Sequence, residues 1–460
     1  MTFIFYDTET TGLTAGFDQI LQFAAIVTDD DLNAIEEINL RCRLQRHVVP
    51  SPGAFVITGV RPSEVAAANL SHYEMIRKIR AVIERYTPAI IVGYNSISYD
   101  EAMLRQAFYQ TLNPVYLTNT GGNARMDILK VAHAASEYAP DVLQVPLNAK
   151  GRPTFKLGLL AEANNLLHED AHEAMSDTVA TLGLARLVRD RAPAVWNAMQ
   201  QTRSKSGALS ILSNSEVFCA TEKAFKQPSI LATRISANLD NPSEVAVFDL
   251  SHDPAQYLNT SPEDLPGLLK ASPRPIRIVK ANQSPILVPH DLSHEGVAGH
   301  GQSMNELKDK VRVIREHPTF GVNVGRAVAG RYPPFDTPEY VEQRIFEGFP
   351  SRADSSLMEA FHASTWSERQ DIVSRIQDDR LRELGERLIY LESPDVLPED
   401  IRRGYDDWRN ARIHAGPEVP WMTIGSAVEE LTDLATSGDS GKGSLLQDVD
   451  KHLTQLSNSR

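Results

Sequence analysis

Over residues 1–198 the apolar positions fall in two rhythms. Thr2–Tyr6 and Ala89–Tyr94 are nearly unbroken apolar runs with the length of buried strands, and Gln22–Thr28 and Ile38–Leu44 read as strands able to pair beside them. Between and after these runs apolar residues return every three or four positions. They do so at Tyr73, Ile76, Ile79 and Ile83 within Ser71–Arg85, and at Met103, Ala107 and Phe108 within Glu101–Gln110. Leu157–Asn165 and Ser176–Arg189 follow the same period, so four helices are predicted. Alternating strands and helices predict an α/β domain, a sheet covered by helices.

The pattern breaks around Arg191–Gly207, where Pro193 and a polar run after Gln200 predict a domain boundary. Short strand-like pieces then recur at Val245–Phe248, Ile276–Val279 and Ile286–Val288, with one helix near Asn305–Arg315. Beyond Tyr332-Pro333-Pro334 the period becomes helical again, as in the stripe Leu381, Leu384, Leu388 and Leu391. After Ser437 a Gly-, Ser- and Asp-rich stretch predicts local disorder ahead of one last weak helix. At 460 residues the chain exceeds the size of one hydrophobic core, and three domains are expected, 1–198, 199–348 and 349–460. No internal repeat is seen.

Composition narrows the class. Apolar and charged residues stand at 42% and 23%, as in an ordinary soluble globular protein. No run approaches the ~20 apolar residues of a membrane span, and the N-terminus does not read as a signal sequence. Two distant cysteines, Cys42 and Cys219, argue against a disulfide framework and for a cytoplasmic protein. The net charge of −14 argues against a protein that coats duplex nucleic acid indiscriminately. It leaves room for an acidic site that needs divalent cations, with Arg41, Arg43 and Arg46 as a candidate guide for a polyphosphate, for which a solvated charged edge is the favoured competing explanation.

Candidate chemistry sits in three places. Asp7 and Glu9 follow a buried strand, and strand alternation puts both on one side about 7 Å apart, close enough to share a metal centre. Asp100 lies between a buried strand and a helix, where an ordinary N-cap is the competing explanation. His172 and Asp177 enter a third helix. Five residues turn through about 500°, so His172 is placed on the approach to the helix and Asp177 within it.

These elements together resemble the DEDDh exonuclease superfamily, with Asp7 and Glu9 as first motif, Asp100 in the second and His172/Asp177 as the third. Gly93–Asp100, Ile57-Thr58-Gly59-Val60, Thr154-Phe155-Lys156-Leu157, Ala171–Asp177 and Tyr340–Phe349 are further similar to bacterial exonuclease I, over most of the chain. Thr8 and Thr11 give the first motif a proofreading-subunit look, and Tyr99 stands where the family pattern has Phe.

The resemblance implies a ribonuclease H-like domain with a mixed sheet and flanking helices, then a small β-rich SH3-like domain and a C-terminal helical domain. It implies a monomeric 3′→5′ exodeoxyribonuclease that degrades single-stranded DNA to 5′-mononucleotides in repair or recombination, using two Mg²⁺ ions, with Mn²⁺ as the substitute. Asp7 would bridge the ions, Glu9 and Asp177 complete one site, Asp100 support the other, and His172 act as general base. Thr10, Leu13 and Asn95 are candidate contacts to the terminal nucleotide. The acidic tail of single-stranded-DNA-binding protein is an implied partner, with Arg312, Arg315 and Arg326 as candidate contacts. A DEDDh exoribonuclease and a non-catalytic DNA-end adaptor are the competing readings.

Overall fold

The computed structural model describes residues 1–166, 173–333, 337–436 and 443–458. Its first sheet is mixed and runs β3-β2-β1-β4-β5, with β1 (Thr2–Thr10) at the centre. β1 pairs antiparallel with β2 (Ile20–Thr28), which pairs antiparallel with β3 (Ala34–Arg41). On its other side β1 runs parallel to β4 (Ala89–Gly93), and β4 parallel to β5 (Ala124–Asp127).

Alternation along β1 divides the core. Phe3 and Phe5 pack with Leu182, Leu184 and Trp196 on one face, where helix Ala174–Arg191 lies. Ile4 and Tyr6 pack on the other with Ile76, Ile79, Met103 and Phe108, from helices His72–Tyr86 and Asp100–Gln110. Each of these side chains is under 10% exposed, and burying one is worth about 1.5–3 kcal/mol.

A second, wholly antiparallel sheet runs β10-β6-β7-β8-β9. Its strands are β6 (Phe218–Thr221), β7 (Ile230–Ala237), β8 (Glu244–Asp249), β9 (Ile276–Lys280) and β10 (Ile286–Pro289). Helices Met304–Glu316 and Phe320–Ala329 cover one face, and Lys205–Asn214 packs on the other through Ala208 and Leu212. Helices from Arg352 to Glu392 form a further core that grips the first region at Tyr73, Tyr109 and Leu112. Helices Ile424–Thr436 and Gly443–Asn458 pack onto helix Pro52–Thr58 through Phe55, Ala427, Leu431 and Val449.

Three expectations need correcting. The strand expected to end at Tyr6 continues to Thr10, because Asp7, Thr8 and Glu9 pair with Ala24, Phe23 and Gln22. The expected break at Arg191–Gly207 is instead two helices, Pro193–Gln201 and Lys205–Asn214. Pro193 sits at a first helical position, where its missing N–H costs nothing, and Ser204 caps the second helix. β3 begins and ends a few residues earlier than Ile38–Leu44, since Asp29 accepts the Asp31 and Asn33 N–H groups and turns the chain at once. The last helix expected near the end of the chain is present at Gly443–Asn458, while the stretch expected to be disordered falls mostly on residues 437–442, outside the described set. Cys42 and Cys219 are both buried free thiols. Among the described residues no helix is long and apolar enough to cross a membrane.

Candidate active site

The acids of the site gather around the C-terminal end of β1. Asp7 and Glu9 continue the face of Phe3 and Phe5, toward helix Ala174–Arg191, whose first turn carries Asp177. Thr8 and Thr10 continue the opposite face, toward helix Asp100–Gln110. Asp100 is the first residue of that helix rather than its cap, and its Oδ1 accepts the Thr8 hydroxyl at 2.5 Å. The capping explanation therefore gives way to a tie between the first and second motifs.

Electrostatics gathers the acids. Burial first, then the charges of Asp100, Asp177, Glu9 and Glu173, holds Asp7 well above the usual carboxylate range. Glu9 is pushed up to about 8 by burial and then by Asp177, Asp100 and Glu173, with Arg41 opposing. Burial lifts Asp100 to about 7 against the Thr8 hydrogen bond. Asp7, Glu9 and Asp100 at raised proton affinity, with Asp177 among the charges that act on Asp7 and Glu9, form a donor set suited to a hard divalent cation. Among the described residues no three His, Cys, Asp or Glu side chains are already drawn into one ligation cluster, so an ion would have to close the set.

Turn chemistry fixes the surroundings. Asn95 is left-handed at φ 58°, and its N–H donates to Asp127 Oδ1 at 2.8 Å, which also accepts from Leu129 N–H at 3.0 Å. Asn95 thus serves the turn between β4 and the Asp100 helix. The Tyr99 hydroxyl lies 2.5 Å from Thr10 Oγ1 and donates to the Gly12 carbonyl at 2.7 Å, which gives the departure from Phe a function in shaping the first-motif loop. Glu173 caps the third helix through Met175 and Ser176 N–H and accepts Gln22 Nε2 at 2.6 Å, anchoring Asp177's helix to β2.

A cleft of about 650 Å³ opens beside Glu9, Thr10 and Leu13. Leu13 is 84% exposed there. Its far wall comes from Trp421 and Glu430, which the sequence reading did not single out because only tertiary packing brings them near residue 10. Glu430 Oε1 accepts Ser51 Oγ at 2.9 Å and Gly53 N–H at 3.1 Å, and Ser51 N–H donates to the Thr11 carbonyl at 2.9 Å. His172 lies outside the described residues. Arg41 is paired with Glu173 at 3.3 Å and Glu64 at 3.7 Å, and Arg43 donates to the Ala68 and Asn69 carbonyls, so these two arginines hold structure together. Arg312 and Arg315 pair with Asp309 and Glu216 on the surface.

Residues 4–185 match the family model described as Exonuclease, and residues 339–456 match that of the Exonuclease I C-terminal domain. The chain is 27% identical to exodeoxyribonuclease I of Haemophilus influenzae over 477 aligned positions, covering 99% of this chain and 98% of the relative. It is an exodeoxyribonuclease I homologue.

The Escherichia coli K12 exodeoxyribonuclease I is also 27% identical, over 78% of each chain. The exonuclease I fold extends from end to end. A structure of exonuclease I from Methylocaldum szegediense superposes with a TM-score of 0.87 at 24% identity, covering 99% of this chain and all of that one. Escherichia coli exonuclease I in complex with a dA16 oligonucleotide gives 0.86 at 24%, with 99% of both chains covered. An exonuclease I/SSB-Ct complex gives 0.84 at 24%, again over 99% of both. Asp7, Glu9, Asp100 and Asp177 all fall inside the Exonuclease match.

Proposed function

We propose that this exonuclease I homologue removes nucleotides from the 3′ end of single-stranded DNA, with Asp7, Glu9, Asp100 and Asp177 holding Mg²⁺. The observation that carries the reading is the convergence of acids from three separated motifs at the C-terminal end of β1, with Asp7, Glu9 and Asp100 held at raised proton affinity beside an open cleft. When bound, divalent ions would neutralise these acids, polarise the scissile phosphate and make water nucleophilic at neutral pH.

The chain's own residues do the rest. Thr8 orients Asp100, Glu173 sets the pitch of Asp177, and the Tyr99–Thr10–Gly12 hydrogen bonds hold the loop that presents Leu13 to a terminal base. His172, five residues before Asp177 in sequence, takes the proton of the attacking water as general base. The fold shared with the dA16 and SSB-Ct complexes supports single-stranded DNA as substrate and the acidic tail of single-stranded-DNA-binding protein as partner. The reading keeps three domains, with the first boundary, expected at 198/199, moved past helix Pro193–Gln201, in a cytoplasmic enzyme.

The test is digestion of matched 5′-labelled single-stranded DNA, duplex DNA and RNA with Mg²⁺ or EDTA. Mg²⁺-dependent shortening of the single-stranded DNA from its 3′ end is expected. Preference for RNA, or cleavage that survives EDTA, overturns the reading.

A further inference from the structure

The loop between β6 and β7, Glu222–Pro228, carries an aromatic residue that the fold does not need. Phe225 is 60% exposed and sits in the left-handed region at φ 60°. A bulky residue adopts that conformation rarely and at a cost. The loop is nevertheless held in one shape, since Lys226 and Gln227 N–H both donate to the Lys223 carbonyl.

One neighbour accounts for the orientation. The Phe225 ring stacks on Phe155 with centroids 6.2 Å apart and planes 26° from parallel, and Phe155 lies in turn 4.0 Å from the His133 ring. Phe155 belongs to the first region. Its carbonyl accepts the Tyr94 hydroxyl at 2.5 Å, and Tyr94 begins the turn that leads to Asp100. The second sheet therefore reaches across to the exonuclease region at a point tied to the second motif.

The charge around this stack runs against that of the whole chain, which is −14. Lys223 and Lys226 flank Phe225 and are exposed, as are Lys156 beside Phe155 and Arg152. Burial, with Lys223 and Lys226 adding to it, holds His133 down at about 4, so both lysines act across the gap between the regions. An exposed aromatic ring among cations is the arrangement that takes a stacked nucleobase and its phosphates. An acidic peptide would use the cations but has no need of the ring stack.

We propose that Phe225, backed by Phe155 and flanked by Lys223 and Lys226, is a stacking platform for a base of the single strand upstream of the nucleotide being removed. This rests on the exonuclease reading of the neighbouring carboxylate cleft. The platform makes grip depend on strand length, because a strand must extend from the acids past Tyr94 to reach it.

The experiment compares kcat/KM for a 5′-labelled dT 12-mer and dT 3-mer in wild type, Phe225→Asn and Phe225→Tyr. Asn accepts the left-handed backbone while removing the ring, and Tyr keeps the ring. The 12-mer to 3-mer ratio is expected to fall by about fivefold or more in Phe225→Asn, the low end of one lost base stack, and to return in Phe225→Tyr. An unchanged ratio, or an equal loss on both strands, overturns the platform. So does a Phe225→Asn variant that keeps the ratio but loses binding to a fluorescent acidic peptide, which would assign the loop to a protein partner. If wild type cuts neither strand, the exonuclease reading itself has failed.

Discussion

Thr8 donates its hydroxyl to Asp100 at 2.5 Å, joining the central strand to the first residue of a helix on the opposite face of the sheet from Asp177. Asp7 and Glu9 face one way and Thr8 the other, so this hydrogen bond is what brings the second motif to the first. Removing an outer partner of a metal ligand typically costs 10- to 100-fold in metal affinity or activity, and Thr8→Val is expected to slow digestion by roughly that factor. Single-turnover rates across a Mg²⁺ titration check it; a Thr8→Val variant as fast as wild type at low Mg²⁺ would separate the two motifs functionally.

The acids predict a stability that depends on both pH and metal. Glu9 and Asp100 have folded pKa values raised to about 8 and about 7, above the usual ~4 of an unfolded carboxylate. Their contribution is therefore full below about pH 4 and is lost as pH rises through the folded values, because the folded state holds protons that the unfolded chain releases. Mg²⁺ takes the place of those protons, so its rise in Tm should grow between about pH 6 and 8.5. Differential scanning fluorimetry with and without Mg²⁺ measures this, and Asp177→Asn should flatten it. A shift that is equal at both pH values contradicts the grouping.

Much of this was legible in the sequence, and the reason is local. β1, β4 and the helices bearing Asp100 and Asp177 follow simple periods, and each acid sits at the end of one of them. β5 and helix Ile128–Tyr138 were missed because the strand is only 4 residues long and includes Arg125 and Asp127, so it shows no apolar run. Glu430 and Trp421 could not be read, since their role exists only once helix Ile424–Thr436 has packed on Pro52–Thr58. Arg41 looked like a guide for phosphate because its acidic partners, Glu64 and Glu173, are distant in sequence.

Glu430→Ala removes the acceptor shared by Ser51 Oγ and Gly53 N–H, which leaves two donors of the cleft wall unpaired at a cost of about 1–3 kcal/mol. The expected result is a higher KM for single-stranded DNA with a smaller change in kcat, and Glu430→Gln, which keeps an acceptor oxygen, should restore much of it. Steady-state kinetics on a 5′-labelled oligonucleotide separates the two. If both variants lose kcat alone, the residue does not act by holding that wall.

Acid should loosen the helical region from the first. His362 lies between the Tyr73 hydroxyl, 2.9 Å from Nδ1, and the Leu112 carbonyl, 2.8 Å from Nε2. A carbonyl only accepts, so Nε2 carries the proton and Nδ1 accepts from Tyr73. Burial lowers this imidazole to about 3, and His72 to about 4, from an ordinary value near 6.5. The lowered value means that stability is present above about pH 6.5 and is lost as pH falls toward the folded values, where protonated Nδ1 can no longer accept from Tyr73. The Tm advantage of wild type over His362→Gln should therefore shrink between pH 7 and 4.5, a difference that cancels the opposing contribution of the carboxylates near β1. A pH-independent slope difference of zero would leave His362 out of the acid transition.

The central claim is that the carboxylates at the C-terminal end of β1 drive removal of 3′ nucleotides with a divalent ion. The direct measurement is the single-turnover shortening of a 5′-labelled single-stranded oligonucleotide by wild type and Asp7→Asn at saturating Mg²⁺. A direct ligand should cost more than the 10- to 100-fold typical of an outer partner, so a loss above about 100-fold is predicted, with strand binding retained. Asp7→Asn cutting within about tenfold of wild type, below the range for even an outer partner, would contradict the account.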